Sequence, residues 1–346
     1  MRRHLFLLVA CLTLAAGLAG RVMALDLPDA WPEAGADPGR PVRFPSLSPF
    51  TPAQVADAPP VTGVGTLFLP EPAGNARPAP AVVLLHGSSG VLAARELAYA
   101  RQLARLGVAA LVVDSFASRR DLATDYVDRL LAITESMLEA DAYAALAWLS
   151  SRSDLDATRV ALVGFSYGGL ASLYAANAGV ADRLARGPRR FAGHAAYYAP
   201  CIGEFADPRT TSAPVLMQAG ILDETIDAER CRATAEAFRR GGSDTRLVTH
   251  EGAHHQWDGA PGADWRPSRG IRACRFRVEA DGRVRDLRTR VAMTGRATRT
   301  LAAGLCADGD GYQIRADAVV PARSTAELAR FLNRVLGAAS PTPADG

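Results

Sequence analysis

The chain has 346 residues, 49% of them hydrophobic and 22% charged, a globular composition with enough apolar material for one large core. Its formal net charge is only +3, so global charge offers no electrostatic case for nucleic acid or a membrane surface as partner. There is no Lys, and the arginines run along the whole chain, which reads as a coding bias rather than a binding stripe.

The first 24 residues have the layout of a secretory signal. Arg2 and Arg3 precede an apolar, uncharged run over residues 5–20, and Val22-Met23-Ala24 offers small residues for cleavage after Ala24. The run is shorter than the roughly 20 residues a spanning helix needs, so no stable membrane insertion is expected once the signal is removed. The expected location is periplasmic or secreted. Residues 25–60 are rich in Pro, Ala and Asp without periodicity and read as an extended lead-in to a domain covering 61–346.

From there short apolar runs alternate with helical stretches. Residues 66–69, 81–85, 108–113 and 159–163 read as strands, joined later by 191–198, 214–219 and 246–249. Helices are expected over 93–106, 126–149, 167–178, 228–240 and 324–336, the last opened by Ser324 with Glu327 three residues on, as in a capping box. Continuous apolar strands alternating with helices predict a mostly parallel central sheet covered by helices on both faces. One segment, about 260–322, breaks the alternation. It holds many arginines, two Cys and two Asp-Gly pairs, and residues 275–278 and 283–285 flank the first pair as a hairpin would. It is expected to be a small β-rich insertion before the last helix.

Cys11 leaves with the signal; Cys201, Cys231, Cys274 and Cys306 remain. An even number in an exported chain predicts two disulfides. Of the three possible pairings, Cys201–Cys231 and Cys274–Cys306 each close a compact region.

The chemistry is concentrated in Gly164-Phe165-Ser166-Tyr167-Gly168-Gly169, between an apolar strand and a helix. That context makes Ser166 a candidate nucleophile at a sharp strand-to-helix turn. In this arrangement the acid and the His follow in order. Asp223, in the loop after the strand at 214–219, is the expected acid, with Glu224 and Asp227 as alternatives in the same loop. Of the adjacent His254 and His255, His255 is expected to reach Ser166 as base, leaving His254 as a possible substrate contact; His250 lies at the strand end. The N–H groups of Tyr167 and Ser88 are the expected oxyanion donors. His86 and His194 read as structural residues, and no His/Cys cluster points to a metal.

Together these segments resemble the dienelactone hydrolase family. The resemblance is carried by residues 147–149 with 159–169, by Leu84-Leu85-His86-Gly87 with Gly90, and by Val113-Asp114-Ser115-Phe116 with a following Arg. Gly220 with Asp223, and Gly252-Ala253-His254-His255, complete it. The resemblance implies an α/β-hydrolase fold, a nucleophile–acid–His triad at Ser166, Asp223 and His255, and no cofactor. Two positions depart from the family pattern: its Cys nucleophile is Ser166 here, and its acidic residue beside the oxyanion loop corresponds to Gly87. These departures point from dienelactone itself towards more general carboxylic esters and lactones as small-molecule substrates. Arg119 or Arg120 could meet a substrate carboxylate, or form a structural ion pair with Asp114 or Asp121. Two rival readings are a serine peptidase of prolyl oligopeptidase type, though no propeller-like repeat precedes the domain, and a non-catalytic protein whose Arg-rich insertion docks an anionic polymer.

Overall fold

The computed structural model describes residues 25–71, 77–123, 125–262 and 264–337; the signal expected over residues 1–24 lies outside them. In chain order the elements begin with β1 (Arg40–Leu47), β2 (Pro60–Phe68), β3 (Ala79–Leu85), α1 (Glu96–Arg105) and β4 (Ala109–Val113). Then come α2 (Tyr126–Ala132), α3 (Glu135–Ser150), β5 (Leu155–Phe165), α4 (Tyr167–Ala175), α5 (Ala178–Leu184), β6 (Gly193–Tyr197) and β7 (Gly203–Phe205). β8 (Val215–Gly220), α6 (Ala228–Arg240) and β9 (Thr245–His250) follow. The chain ends with β10 (Trp265–Arg266), β11 (Phe276–Val278), β12 (Val284–Asp286), α7 (Arg296–Cys306), β13 (Tyr312–Gln313) and α8 (Val320–Gly337).

The main sheet has eight strands in the order β1-β2-β4-β3-β5-β6-β8-β9. β1 and β2 run antiparallel to their neighbours, and the other contacts are parallel. The apolar runs form strands because both faces are covered, so side chains alternate between two cores. On β3, Val82 and Leu84 point into one core with Leu103 of α1, Phe238 of α6 and Leu332 of α8. Ala81, Val83 and Leu85 point into the other, with Leu146 of α3, Leu170 of α4 and Val180 of α5. This is the expected α/β-hydrolase architecture.

Four features differ from the sequence reading. The lead-in is not separate: β1 forms the sheet edge, and Leu27 exchanges hydrogen bonds with the Asn333 side chain on α8. The helical stretch at 126–149 is two helices, parted where Ile133 and Thr134 take extended conformations. The last helix starts before Ser324, whose buried hydroxyl donates to Pro321 O inside the first turn. Asp317, accepting from Val319 N and Val320 N, stands ahead of the helix where Ser324 was expected to cap it. Finally, the insertion is mixed rather than β-rich. Its hairpin β11–β12 is present, but its longest element is α7, and β11 pairs in parallel with β7 of the main body. Disulfides join Cys201 to Cys231 and Cys274 to Cys306, the second tying the roof of the insertion to the last turn of α7. Among the described residues no helix is long and apolar enough to cross a membrane.

Arg119 turns inward. Its guanidinium donates to both oxygens of Asp141 at 2.6 and 3.0 Å, to Ser48 Oγ and to Leu47 O, and Asp141 also accepts from Ser46 Oγ. The group locks the β1 edge to α3 and is not available to a substrate; its partner is neither Asp114 nor Asp121. Removing one member of a buried ion pair leaves an uncompensated charge. Arg119→Met is therefore expected to lower the free energy of unfolding by about 3–5 kcal/mol, measured by urea denaturation.

Candidate active site

Ser166 sits at the end of β5 with φ 52° and ψ −109°, a left-handed conformation that a non-glycine residue adopts only under constraint. Two glycines make the bend possible. A Cβ at Gly164 would overlap the backbone of Gly168, and a Cβ at Gly168 would stand 2.5 Å from Leu85 O. The bend is held by Ser166 N donating to Tyr197 O at 2.9 Å and by Leu170 N donating to Ser166 O at 2.9 Å.

His255 and Asp223 meet Ser166 from two other loops. Ser166 Oγ lies 2.9 Å from His255 Nε2, and His255 Nδ1 lies 2.8 Å from Asp223 Oδ2. A carboxylate only accepts, so Nδ1 carries the proton and Nε2 is left to accept from the serine hydroxyl. All three residues are buried. The other Asp223 oxygen is fixed by Thr225, whose N–H and hydroxyl donate to it at 2.9 and 2.7 Å; the same hydroxyl is 3.1 Å from His255 Nδ1. Thr225 escaped the sequence reading; Asp-x-Thr in a loop is the signature of a local side-chain turn, which was its only signal.

The imidazole is wedged between rings. Tyr198 lies 4.9 Å away edge-on and Tyr312, from the insertion, 5.6 Å away. Behind it Asp258 accepts from Tyr198 Oη at 2.6 Å and Tyr99 Oη at 3.0 Å. Burial raises the Asp258 carboxyl above the usual carboxylate range, against the opposing pull of Arg95 and the two phenols. The insertion also grips the His loop directly: Arg315 N donates to His255 O at 3.0 Å and Asp317 N to Trp257 O at 2.8 Å.

Ser88 and Tyr167 line the same chamber as Ser166 and His255. The Ser88 hydroxyl is 2.7 Å from Tyr126 Oη, and the tight turn that carries it is closed by Gly90 N donating to Gly87 O at 3.0 Å. The remaining candidates lie elsewhere. Arg120 is exposed and donates to Ala117 O; neither it, Arg119 nor His254 lines the chamber. Asp227 caps α6, and Glu224 accepts from Gln313 N. His250 Nε2 meets Gln218 Oε1 at 2.8 Å, and burial holds His194 down to about 4.

The chamber has a volume of about 490 Å³. Its walls include Leu130 and Leu131 of α2, Leu170, Ile202, Phe276 and Ala303, so α7 and the loop before β11 roof the serine. At its edge Arg299 of α7 donates to both oxygens of Glu135 at 3.2 and 2.8 Å, to Tyr167 Oη at 3.2 Å and to Leu130 O at 3.0 Å. Burial alone would raise the Glu135 carboxyl, but Arg299 outweighs it and the net effect is a lowered pKa. One turn along α3, Glu139 is fully buried, and its carboxyl oxygens have no hydrogen-bond partner among the described residues. Burial, with Glu135 nearby, lifts it well above the carboxylate range.

The family model described as the dienelactone hydrolase family matches residues 65–260, more than half of the chain. Among solved structures, the chain is similar to a dienelactone hydrolase-like promiscuous phosphotriesterase from metagenomic libraries: 22% identity, TM-score 0.45, over 63% of this chain and 83% of that one. It is also similar to a putative dienelactone hydrolase from Klebsiella pneumoniae subsp. pneumoniae: 19% identity, TM-score 0.44, over 63% and 89%. A third is the propionate-bound thermophilic esterase of Thermogutta terrifontis: 19% identity, TM-score 0.44, over 56% and 80%. No curated protein matches the chain.

Because Glu139 holds its proton more tightly in the fold than in the unfolded chain, its contribution to stability is complete below the unfolded carboxyl pKa of about 4.3 and declines as pH rises towards the folded value. Glu139→Gln removes that titration. Its unfolding free energy relative to the parent should improve as pH rises above about 4.3, as read by denaturant titrations at each pH.

Proposed function

The chain belongs to the dienelactone hydrolase family, and from that premise we propose that it hydrolyses small-molecule carboxylic esters or lactones through a Ser166–His255–Asp223 triad. The observation that carries the reading is the unbroken relay of 2.9 and 2.8 Å from serine hydroxyl to imidazole to carboxylate at the wall of one chamber.

In the proposed reaction His255 Nε2 takes the Ser166 proton as Oγ attacks the ester carbonyl. The carbonyl oxygen becomes an oxyanion, accepting from the N–H groups of Tyr167, at the N-terminus of α4, and Ser88. Asp223 offsets the charge developing on the imidazole, and Thr225 keeps the carboxylate aimed. Collapse of the tetrahedral adduct breaks the bond to the alcohol oxygen, which takes the proton from Nε2 and leaves an acyl-enzyme. A water then gives a proton to Nε2 as its oxygen bonds the acyl carbon, and the bond from that carbon to Ser166 Oγ breaks as Oγ takes the proton back from Nε2, releasing the acid. No residue in this sequence requires a metal or cofactor.

A roofed chamber of this size suits a small molecule rather than a polymer threaded across the site. Several arginines of the insertion are engaged with carboxylates: Arg275 with Glu204, Arg283 with Asp281, Arg285 with Glu279, Arg296 with Asp128 and Arg299 with Glu135. That lowers the positive field available for docking an anionic polymer. The two disulfides are compatible with export, and with the signal read at residues 1–24 they support a periplasmic or secreted location.

A fluorophosphonate probe should label Ser166 in the folded protein. Ser166→Ala should lose both the label and the turnover of p-nitrophenyl esters while keeping its circular dichroism spectrum; retained turnover would refute the assignment. Asp223→Asn should lower kcat by roughly 10⁴-fold, since the amide favours the wrong imidazole tautomer, and Thr225→Val should cost much less.

A further inference from the structure

The chamber's charge balance points to a substrate class. We propose that the group it receives is uncharged and bulky-apolar, and that anionic esters are rejected, with the insertion setting both preferences. This rests on the reading of Ser166 as nucleophile.

The argument starts from the cations. Two guanidiniums line the chamber, and both are committed. Arg299 is matched in charge by Glu135 and donates further to Tyr167 Oη and Leu130 O. Arg269, exposed at the rim, donates to Gly304 O and Ala307 O and so closes the last turn of α7. Among the described residues the only carboxylate in the lining is Glu135 itself. Among the described residues the lining therefore holds one guanidinium matched by a carboxylate, Arg299, and one at the rim, Arg269, held by carbonyls alone. A substrate carboxylate carried past that rim would shed its hydration and have to compete with Glu135 for Arg299.

The walls make the complementary case. Leu130, Leu131, Leu170, Ile202, Phe276 and Ala303 come from four separate parts of the chain and face one space of about 490 Å³. Phe276 and Ala303 belong to the insertion, as do the roof residues Gly270 and Ile271. Each methylene of substrate moved from water onto such a surface gains free energy, up to about fourfold in binding. Because Ser166 opens onto this space, that gain appears in kcat/KM.

The experiment compares neutral p-nitrophenyl acyl esters of rising chain length, a matching alkoxy series, and hemi-esters of equal length ending in a carboxylate. In one of the two neutral series kcat/KM should climb about two- to fourfold per methylene until the chamber is filled, then fall. The carboxylate-ended esters should be at least about a hundredfold poorer than neutral esters of equal length. Ala303→Phe and Ile271→Trp, each checked for folding by thermal melt, should both move the optimum to shorter chains. Flat profiles in both series, parity of anionic and neutral esters, or an unmoved optimum in folded variants would overturn the proposal. Absence of fluorophosphonate labelling would instead sink the underlying reading of Ser166, so the two failures are distinguishable.

Discussion

The backbone of Ser166 is forced into a region that side chains avoid, and the rest of the site depends on that bend being maintained. Holding a non-glycine residue at φ 52° costs on the order of 1–3 kcal/mol. The cost is met by packing that leaves no room for another arrangement: Gly164 lies against Gly168, and Gly168 against Leu85 O and His86 O. Once the bend is set, α4 starts at Tyr167 with Ser166 as its N-cap residue. The parallel sheet then decides what else can arrive. The ends of β8 and β9 lie beyond β6 on the same sheet edge, so their loops deliver Asp223 and His255 to the hydroxyl.

A second constraint is electrostatic. Of the three buried carboxyls on α3, Asp141 is paired with Arg119 and Glu135 with Arg299, while Glu139, one turn from Glu135, has no partner among the described residues. Burial pushes both the Glu135 and Glu139 carboxyls up, but Arg299 outweighs it at Glu135, whereas the nearby Glu135 adds to it at Glu139. This asymmetry ties α7 to the elbow helix, since the same guanidinium that neutralises Glu135 also reaches Tyr167 Oη at 3.2 Å. At this part of the chamber wall the Arg299 charge is thus matched by Glu135 beside the Tyr167 phenol.

What the sequence made legible was what depends on local pattern. The strand–turn–helix around Ser166 follows from an apolar run, two obligatory glycines and a helical stretch, and the order of Asp223 and His255 follows from the sheet topology that those runs imply. β1 was hidden because Pro41 and Pro45 interrupt it. An edge strand tolerates residues without N–H groups, and only Phe44 and Ser46 are buried. α7 was hidden for a different reason. Its buried residues are Arg299, Ala302 and Cys306, while Leu301 and Leu305 are about half exposed, so its apolar residues mark the wrong face. Arg119 misled through its proximity to Asp114, because Asp141 lies on a later helix. The partners of Arg299 and Arg119 are set by tertiary packing, and no spacing rule reaches them.

The insertion is therefore more than decoration. It touches the site through three kinds of bond that act on different parts of it. Backbone hydrogen bonds from Arg315 and Asp317 fix the loop that carries His255. Arg299 fixes α7 to α3 through Glu135 and to the helix that starts at the nucleophile through Tyr167 Oη. The Cys274–Cys306 bond joins the two ends of the roof, so that the loop and α7 cannot separate independently. A segment added only for surface would need none of these ties. The loop that carries the base, and the roof over the serine, therefore share one support.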